Sequence, residues 1–154
     1  LGEKKLTKSL DGVIFTPLKI IEVEDGNIQH GMKKGEDGYQ GFGEAYFSNI
    51  NSNSIKGWKR HFSMILNIIV PIGRIRFVLF DDREDSLTRH KYQELIIAEN
   101  NYGRLTVPPM IWLGFQGLSK GRNLLLNISN IIHDPKEQEN IMLEDIKYNW
   151  SKRG

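Results

Sequence analysis

The chain contains no cysteine in its 154 residues. This excludes a disulfide framework and any thiolate metal site, and it suits a cytoplasmic protein, the location expected here. Long apolar runs are also missing. The longest, Met64 to Ile72, is interrupted by Asn67 and Pro71 and falls well short of the about 20 residues a membrane-spanning helix needs, so no membrane partner is expected. The segment Leu1 to Leu10 carries lysines but no long apolar stretch and no small-residue cleavage site, and does not read as a signal peptide. Charge of one sign is scarce too, the formal net charge being +2. Bases are interspersed with acids, and Lys4, Lys5 and Lys8 form only a short basic start of the kind that is usually solvated. With no nucleic-acid-binding module in view, no nucleic acid is expected as a partner.

What is present is strand material. The hydrophobic fraction of 39% is enough to close one core in a chain of this length, and without repeats or linkers residues 1–154 read as one domain. Val13 to Val23 is β-branched and broken by Pro17, Glu24 to Gly43 reads as a long loop, and Glu44 to Ile50 as a strand. Gly57 to Val70 reads as strand up to the turn signal Pro71-Ile72-Gly73, and Arg74 to Phe80 alternates as a half-buried strand. Gln93 to Ala98, Arg104 to Val107 and Asn123 to Ser129 continue the series, and only Pro135 to Ile146 has helical character. Many short strands with frequent turns predict an all-β sandwich or small barrel.

Three segments carry a family likeness. They are Ile55-Lys56-Gly57-Trp58-Lys59-Arg60-His61, then Ile75 to Arg83, then Tyr102 to Pro109 continuing through Trp112-Leu113-Gly114-Phe115-Gln116. In this order and spacing the region from Gly41 to Asn130 resembles the dTDP-4-dehydrorhamnose 3,5-epimerase family and its sugar 3,4-ketoisomerase relatives. The resemblance implies a cupin-type jelly roll (double-stranded β-helix) of two antiparallel sheets, a homodimer, no cofactor and no obligatory metal. It also implies isomerase or epimerase chemistry on a nucleoside-diphosphate 4-keto-6-deoxy sugar, for surface polysaccharide biosynthesis such as O-antigen, by proton abstraction next to the ketone. Position by position, the family's substrate-binding arginine matches Lys56 and its catalytic histidine falls on Lys59, while the second histidine of ketoisomerases is His61. The positions expected to hold a further histidine, a lysine and a tyrosine fall on Leu113, Leu66 and near Ile131.

Residues two apart on a strand share a face, so Lys59 and His61 should project together, away from Trp58 and Arg60. Histidine is the natural proton carrier near neutral pH. A lysine becomes a base only where burial or a neighbouring cation favours its neutral form. Lys59 and His61 are therefore the candidate catalytic pair, with a polar barrel mouth as the plainer alternative, and Asp145 is a candidate to orient the ring of His61. Candidate substrate-binding residues are Lys56 and Arg76 for the diphosphate (Arg76 being solvated otherwise), Asn67 and Asn127 for sugar hydroxyls or an internal hydrogen-bond network, and Trp112 for stacking or core packing. Arg104 is a further arginine that either holds phosphate or is solvated. The four histidines lack the convergent pattern of a metal centre, and none is expected. The competing reading is a non-catalytic sugar-nucleotide or carbohydrate-binding cupin that has lost the catalytic base.

Overall fold

The computed structural model describes residues 8–153, so Lys4, Lys5 and most of the segment weighed as a leader lie outside the described residues. The strands in chain order are β1 (Ile14–Pro17), β2 (Ile20–Val23), β3 (Gly26–Gln29), β4 (Glu44–Asn49), β5 (Ile55–His61) and β6 (Leu66–Ile72). They continue with β7 (Ile75–Asp81), β8 (Tyr92–Ile97), β9 (Gly103–Val107), β10 (Ile111–Gly117), β11 (Leu124–Ser129) and β12 (Gln138–Asn140). Two five-stranded antiparallel sheets face each other, one in the order β1-β9-β6-β11-β4 and the other in the order β12-β5-β10-β7-β8. The neighbours are mostly non-consecutive, because the chain crosses repeatedly from one sheet to the other. This is the jelly roll. The hairpin β2-β3 stands apart from both sheets. No helix is long and apolar enough to cross a membrane.

Strand β7 shows why these residues fold this way. Ile75, Phe77 and Leu79 point between the sheets and join Leu66, Ile68, Val70, Leu105, Val107 and Ile111 in the main core. Val78, on the opposite face, joins a second cluster with Trp58, Trp112 and Ile146, covered by Tyr148 and Trp150 of the C-terminal segment. The strand is therefore buried on both faces, where its alternation predicts burial on one. Gly73 closes the β6-β7 turn at φ +90°, with the Arg122 carbonyl where a Cβ would stand, so only glycine fits without strain.

Three local expectations are corrected. Gly57 to Val70 is two strands, because the Ser63 and Met64 amides turn away from any ladder to donate to the carboxylate of Glu137 at 2.6 and 2.8 Å. Glu24 to Gly43 contains β3, paired with β2. Pro135 to Ile146 forms two single-turn 3-10 segments flanking β12, which pairs with β5 at the sheet edge; the Asp134-Pro135 start caps a turn that an edge strand then replaces.

Candidate active site in the open half of the jelly roll

The two sheets close on each other unevenly. Under β1, β9, β7 and β8 the space is filled by aliphatic and aromatic side chains. Toward β4 and β5 it holds a cavity of about 200 Å³. One wall consists of Tyr46 and Ser48 from β4 with Leu125 and Asn127 from β11. The facing wall carries Lys56, Lys59 and His61 from β5, and Leu66, Ile68, Leu113 and Phe115 supply apolar surface. A larger, open depression of about 860 Å³ runs along Leu143 to Trp150. It borders the aromatic cover of the outer face, where Tyr148 and Trp150 pack edge to face at 4.8 Å, and lacks facing walls that carry proton-transfer groups.

Strand β5 positions three cations or potential cations on one wall by means of a bulge. Leu113 pairs with Lys59 and Phe115 with Lys56, so two residues on β5, Gly57 and Trp58, answer Gly114 alone on β10. The extra residue breaks the alternation. Lys56 therefore lines the cavity together with Lys59 and His61, whereas strict alternation would place it on the face of Trp58. Arg60 stays on the outer face, 4.5 Å over the Trp112 ring and 2.8 Å from Glu139.

His61 is 6% exposed. Its Nδ1 lies 2.6 Å from Glu137 Oε1, while Glu137 Oε2 accepts the Ser63 and Met64 amides. A carboxylate on Nδ1 makes that nitrogen the donor and leaves the Nε2 lone pair for the cavity. Burial pushes the His61 pKa below 6.5; Glu137 opposes that shift, and the positive charge of Lys59 and the nearby His133 add to it. Burial alone would raise the Glu137 pKa, but the two amides and the His61 ring outweigh it and hold the carboxyl below its usual 4.5. The pair is thus a neutral imidazole oriented by an ionised carboxylate, the arrangement of a general base. Asp145, the expected orienting residue, instead accepts the Met142 amide at 2.9 Å. Lys59 is half-buried beside His61, and Lys56, nearer the mouth, donates to Ser48 Oγ and the Asn49 carbonyl at 2.8 and 2.9 Å.

The cavity brings together Lys56, Lys59, His61 and Asn127, but not the other three candidates. Arg76 is fully buried on the outer face of its sheet, donating to Gln116 Oε1 and the Lys152 carbonyl at 2.9 Å each; it anchors the C-terminal segment. Asn67 faces away from its neighbours Leu66 and Ile68, donating to the Gly38 carbonyl at 3.0 Å and accepting from Thr106 Oγ1 at 2.6 Å. Trp112 lies on the outer face, its Nε1 donating to Asp82 at 3.0 Å. In each case alternation carries the side chain out of the cavity, and a loop or the C-terminal segment buries it there. Arg104 is likewise buried on the outer face of its sheet, donating to the carbonyls of Gly31 and Asp37 at 2.8 and 3.1 Å.

The site also includes residues absent from the sequence-based set, namely Glu137, Tyr46 and Ser48. The β4 pattern carried a signal for two of them. Tyr46 and Ser48 alternate with Phe47, which is 65% exposed, an inversion of the usual pattern that a polar cavity explains. Among the described residues no group of three or more His, Asp or Glu is placed to hold a metal ion.

No protein-family model matches the chain. Among solved structures, the dTDP sugar isomerase of Desulfovibrio desulfuricans is 30% identical, with 94% of each chain covered and a TM-score of 0.89. The chain belongs to the dTDP-sugar isomerase and epimerase family. The dTDP-4-dehydrorhamnose 3,5-epimerase of Elizabethkingia anophelis shares the same fold at 17% identity, covering 95% of this chain and 85% of that one, with a TM-score of 0.78. A probable low-salt glycan biosynthesis epimerase of Haloferax volcanii is 30% identical over 96 residues, a stretch that spans 62% of this chain and 62% of that relative's length. A spore coat polysaccharide biosynthesis protein of Bacillus subtilis is 23% identical over 146 residues, covering 92% and 97% of the two chains. The expected jelly roll and the expected family are both borne out.

Proposed function

We propose that this member of the dTDP-sugar isomerase and epimerase family catalyses proton abstraction next to the ketone of a nucleoside-diphosphate 4-keto-6-deoxy sugar, in the synthesis of a surface polysaccharide. The observation that carries the reading is the His61–Glu137 pair, with its free ring nitrogen left for a cavity between the sheets. His61 Nε2 takes the proton from the carbon beside the ketone. As that C–H bond breaks, charge moves onto the ketone oxygen, and the Lys59 ammonium on the same wall stabilises the enolate. A cavity of about 200 Å³ is smaller than the about 300–1,000 Å³ of sites that swallow whole drug-sized ligands. It takes the sugar ring, while the diphosphate lies at the mouth by Lys56, and the Asn127 amide meets a ring hydroxyl.

The exposed edge of β4 and the exposed Ile21, Val23 and Ile28 of the β2-β3 hairpin support a homodimer in which a second copy protects these surfaces, and the absence of cysteine suits work in the cytoplasm. Light scattering at micromolar concentration should return twice the chain mass; monomer mass alone would remove this part of the reading.

A second reading is favoured by Leu66 and Leu113, which give the cavity apolar surface where the resemblance places a lysine and a histidine. In that reading the domain binds a sugar nucleotide without turning it over. Proton NMR in D2O with dTDP-4-keto-6-deoxyglucose separates the two. Deuterium entering C3 or C5 with the native protein, and not with His61→Asn, supports catalysis. Saturable binding with no deuterium entry establishes the binding module instead.

A further inference from the structure

We infer that Lys59 is a covalent nucleophile. Its amine condenses with the ketone of the bound sugar, and the iminium so formed takes up the electrons when His61 removes the neighbouring proton. This rests on the reading of His61 as the base, and it carries the contact between the Lys59 ammonium and the ketone on to a bond, so that nitrogen rather than the ketone oxygen receives the electrons. The cavity holds two lysines on one wall, Lys56 and Lys59 of β5, and their surroundings differ. Lys56 is tied down, its Nζ donating to Ser48 Oγ and the Asn49 carbonyl at 2.8 and 2.9 Å. Among the described residues the Lys59 side chain makes no hydrogen bond and no ion pair.

Three observations suit the unpartnered nitrogen to this task. First, no carboxylate holds it as an ammonium. The acid beside this wall, Glu137, is committed to His61 Nδ1 and to the Ser63 and Met64 amides. Second, the cavity around it is apolar. Leu66, Ile68 and Leu113 line it, and Leu113 is paired directly with Lys59 across β10. A lysine among apolar side chains with a second cation nearby, here Lys56, is the usual setting of Schiff-base chemistry. Such walls cannot solvate an enolate oxygen, so a single ammonium would have to offset that whole charge. An iminium removes the difficulty, because it yields a neutral enamine. Third, Lys59 and His61 stand two residues apart on one strand face, close enough for the lysine charge to act on the imidazole. Nucleophile and base thus address adjacent atoms, the keto carbon and the carbon beside it.

The atoms and charges balance. A proton leaves the ammonium for water and frees the nitrogen lone pair, which adds to the keto carbon. The C–N bond forms, the C–O bond breaks, and the oxygen departs as water carrying two protons that began on nitrogen. Ammonium and ketone have become a protonated iminium and water. His61 Nε2 then takes the proton from the adjacent carbon, and the C–H electrons pass through the new C=C bond to nitrogen. The product is a neutral enamine. The positive charge has moved to the imidazole, where the Glu137 carboxylate offsets it. Return of a proton to carbon restores the iminium, and water hydrolyses it to the ketone and free Lys59. Water is released once and consumed once, and nothing is oxidised or reduced.

The test is chemical trapping. The native protein, Lys59→Arg and Lys59→Met are incubated with dTDP-4-keto-6-deoxyglucose and sodium cyanoborohydride, which reduces an iminium to a stable secondary amine. Intact mass and a peptide map are then read. Deuterium entry in D2O is followed in parallel without the reductant, each variant being checked for an unchanged melting temperature and for dTDP binding. The native chain should gain the mass of the sugar nucleotide less an oxygen atom, on Lys59, and lose exchange activity as it does so. Lys59→Arg keeps the positive charge but cannot form the bond. Its exchange should fall about 100-fold or more, the scale of losing a positioned catalytic group, and as low as that of Lys59→Met. Exchange by Lys59→Arg within about threefold of the native rate would overturn the covalent role and leave Lys59 a stabilising charge, with the His61 reading intact. Native exchange without an adduct, or an adduct on other lysines alone, would overturn it too. Absence of exchange in the native protein would instead remove the His61 reading, and this inference with it.

Discussion

The two halves of the jelly roll are built from the same sheets and the same alternation, yet one is closed and the other open. In the closed half the inward positions hold Ile75, Phe77, Leu79, Leu105 and Val107, each at most 2% exposed. In the open half the inward positions of β4, β5 and β11 hold Tyr46, Ser48, Lys56, Lys59, His61 and Asn127. Aliphatic side chains can interdigitate to crystal-like density. Lysine, histidine and amide groups cannot be driven together without partners, so polar inward positions keep the sheets apart. The cavity therefore needs no special backbone. It is what remains where the chain declines to fill its own interior.

Substitutions on the two sides should separate activity from stability. The largest effect belongs to the open half: His61→Asn should cut exchange by about 10²–10⁴-fold with dTDP binding retained, whereas Phe77→Ala, measured per folded molecule, should leave the rate within about threefold, a modest factor in catalytic terms. Stability should respond the other way. Phe77→Ala should cost about 3–5 kcal/mol in urea unfolding, and Lys59→Met, in a cavity that already has room, less than about 1 kcal/mol. Equal costs would mean the halves are packed alike. Enlarged side chains sharpen the contrast. Ile75→Phe should cost about 1–3 kcal/mol by overpacking, while Ile68→Phe, which borders the cavity, should cost less and block sugar-nucleotide binding in calorimetry.

The smallest effects are shifts with pH. His61 has its pKa lowered below 6.5, chiefly by burial. A histidine depressed in the folded state contributes its stability fully above 6.5, and that contribution is lost as pH falls toward the folded value. Glu137, held below 4.5 by its amide and imidazole partners against the opposing effect of burial, acts in the same direction at lower pH. Urea midpoints should therefore fall on acidification below 6.5. On the proposed reading, the acidic limb of the rate profile should report His61. Glu137→Gln removes an influence that raises its pKa and should move the limb to lower pH, with a reduced plateau. Lys59→Met removes one that lowers it and should move the limb up. Shifts of the same sign in both variants would break the assigned electrostatics.

Much of the closed half was legible in the sequence, because Ile75, Phe77 and Leu79 alternate after a turn signal, although the turn itself begins at Gly73 and Pro71-Ile72 still belong to β6. The open half was legible by alternation where two residues stand in strict phase, as Lys59 and His61 do, whereas Lys56 reaches the cavity only through the bulge and Asn127 was signalled by interrupting an apolar strand. Arg76, Asn67 and Trp112 were misplaced for one reason. Alternation says that a polar or large residue leaves the core face, but not that the other face is also buried, under the C-terminal segment for Arg76 and Trp112 and under the loop near Gly38 for Asn67. Glu137 could not be found by local pattern at all, since its partner His61 lies 76 positions away.

That separation has a consequence in time as well as in space. The His61 ring becomes oriented only after a three-residue edge strand, β12, has docked beside β5, and contacts so distant along the chain carry a large closure cost before they yield anything. The core strands β6, β7, β9 and β10 are complete at Gly117, before Glu137 and β12 are made. A refolding or nascent chain should thus acquire a native interior first and an oriented His61 later. In the finished molecule the same short strand is the one whose brief release would free the His61 ring from Glu137 while the jelly roll stays folded.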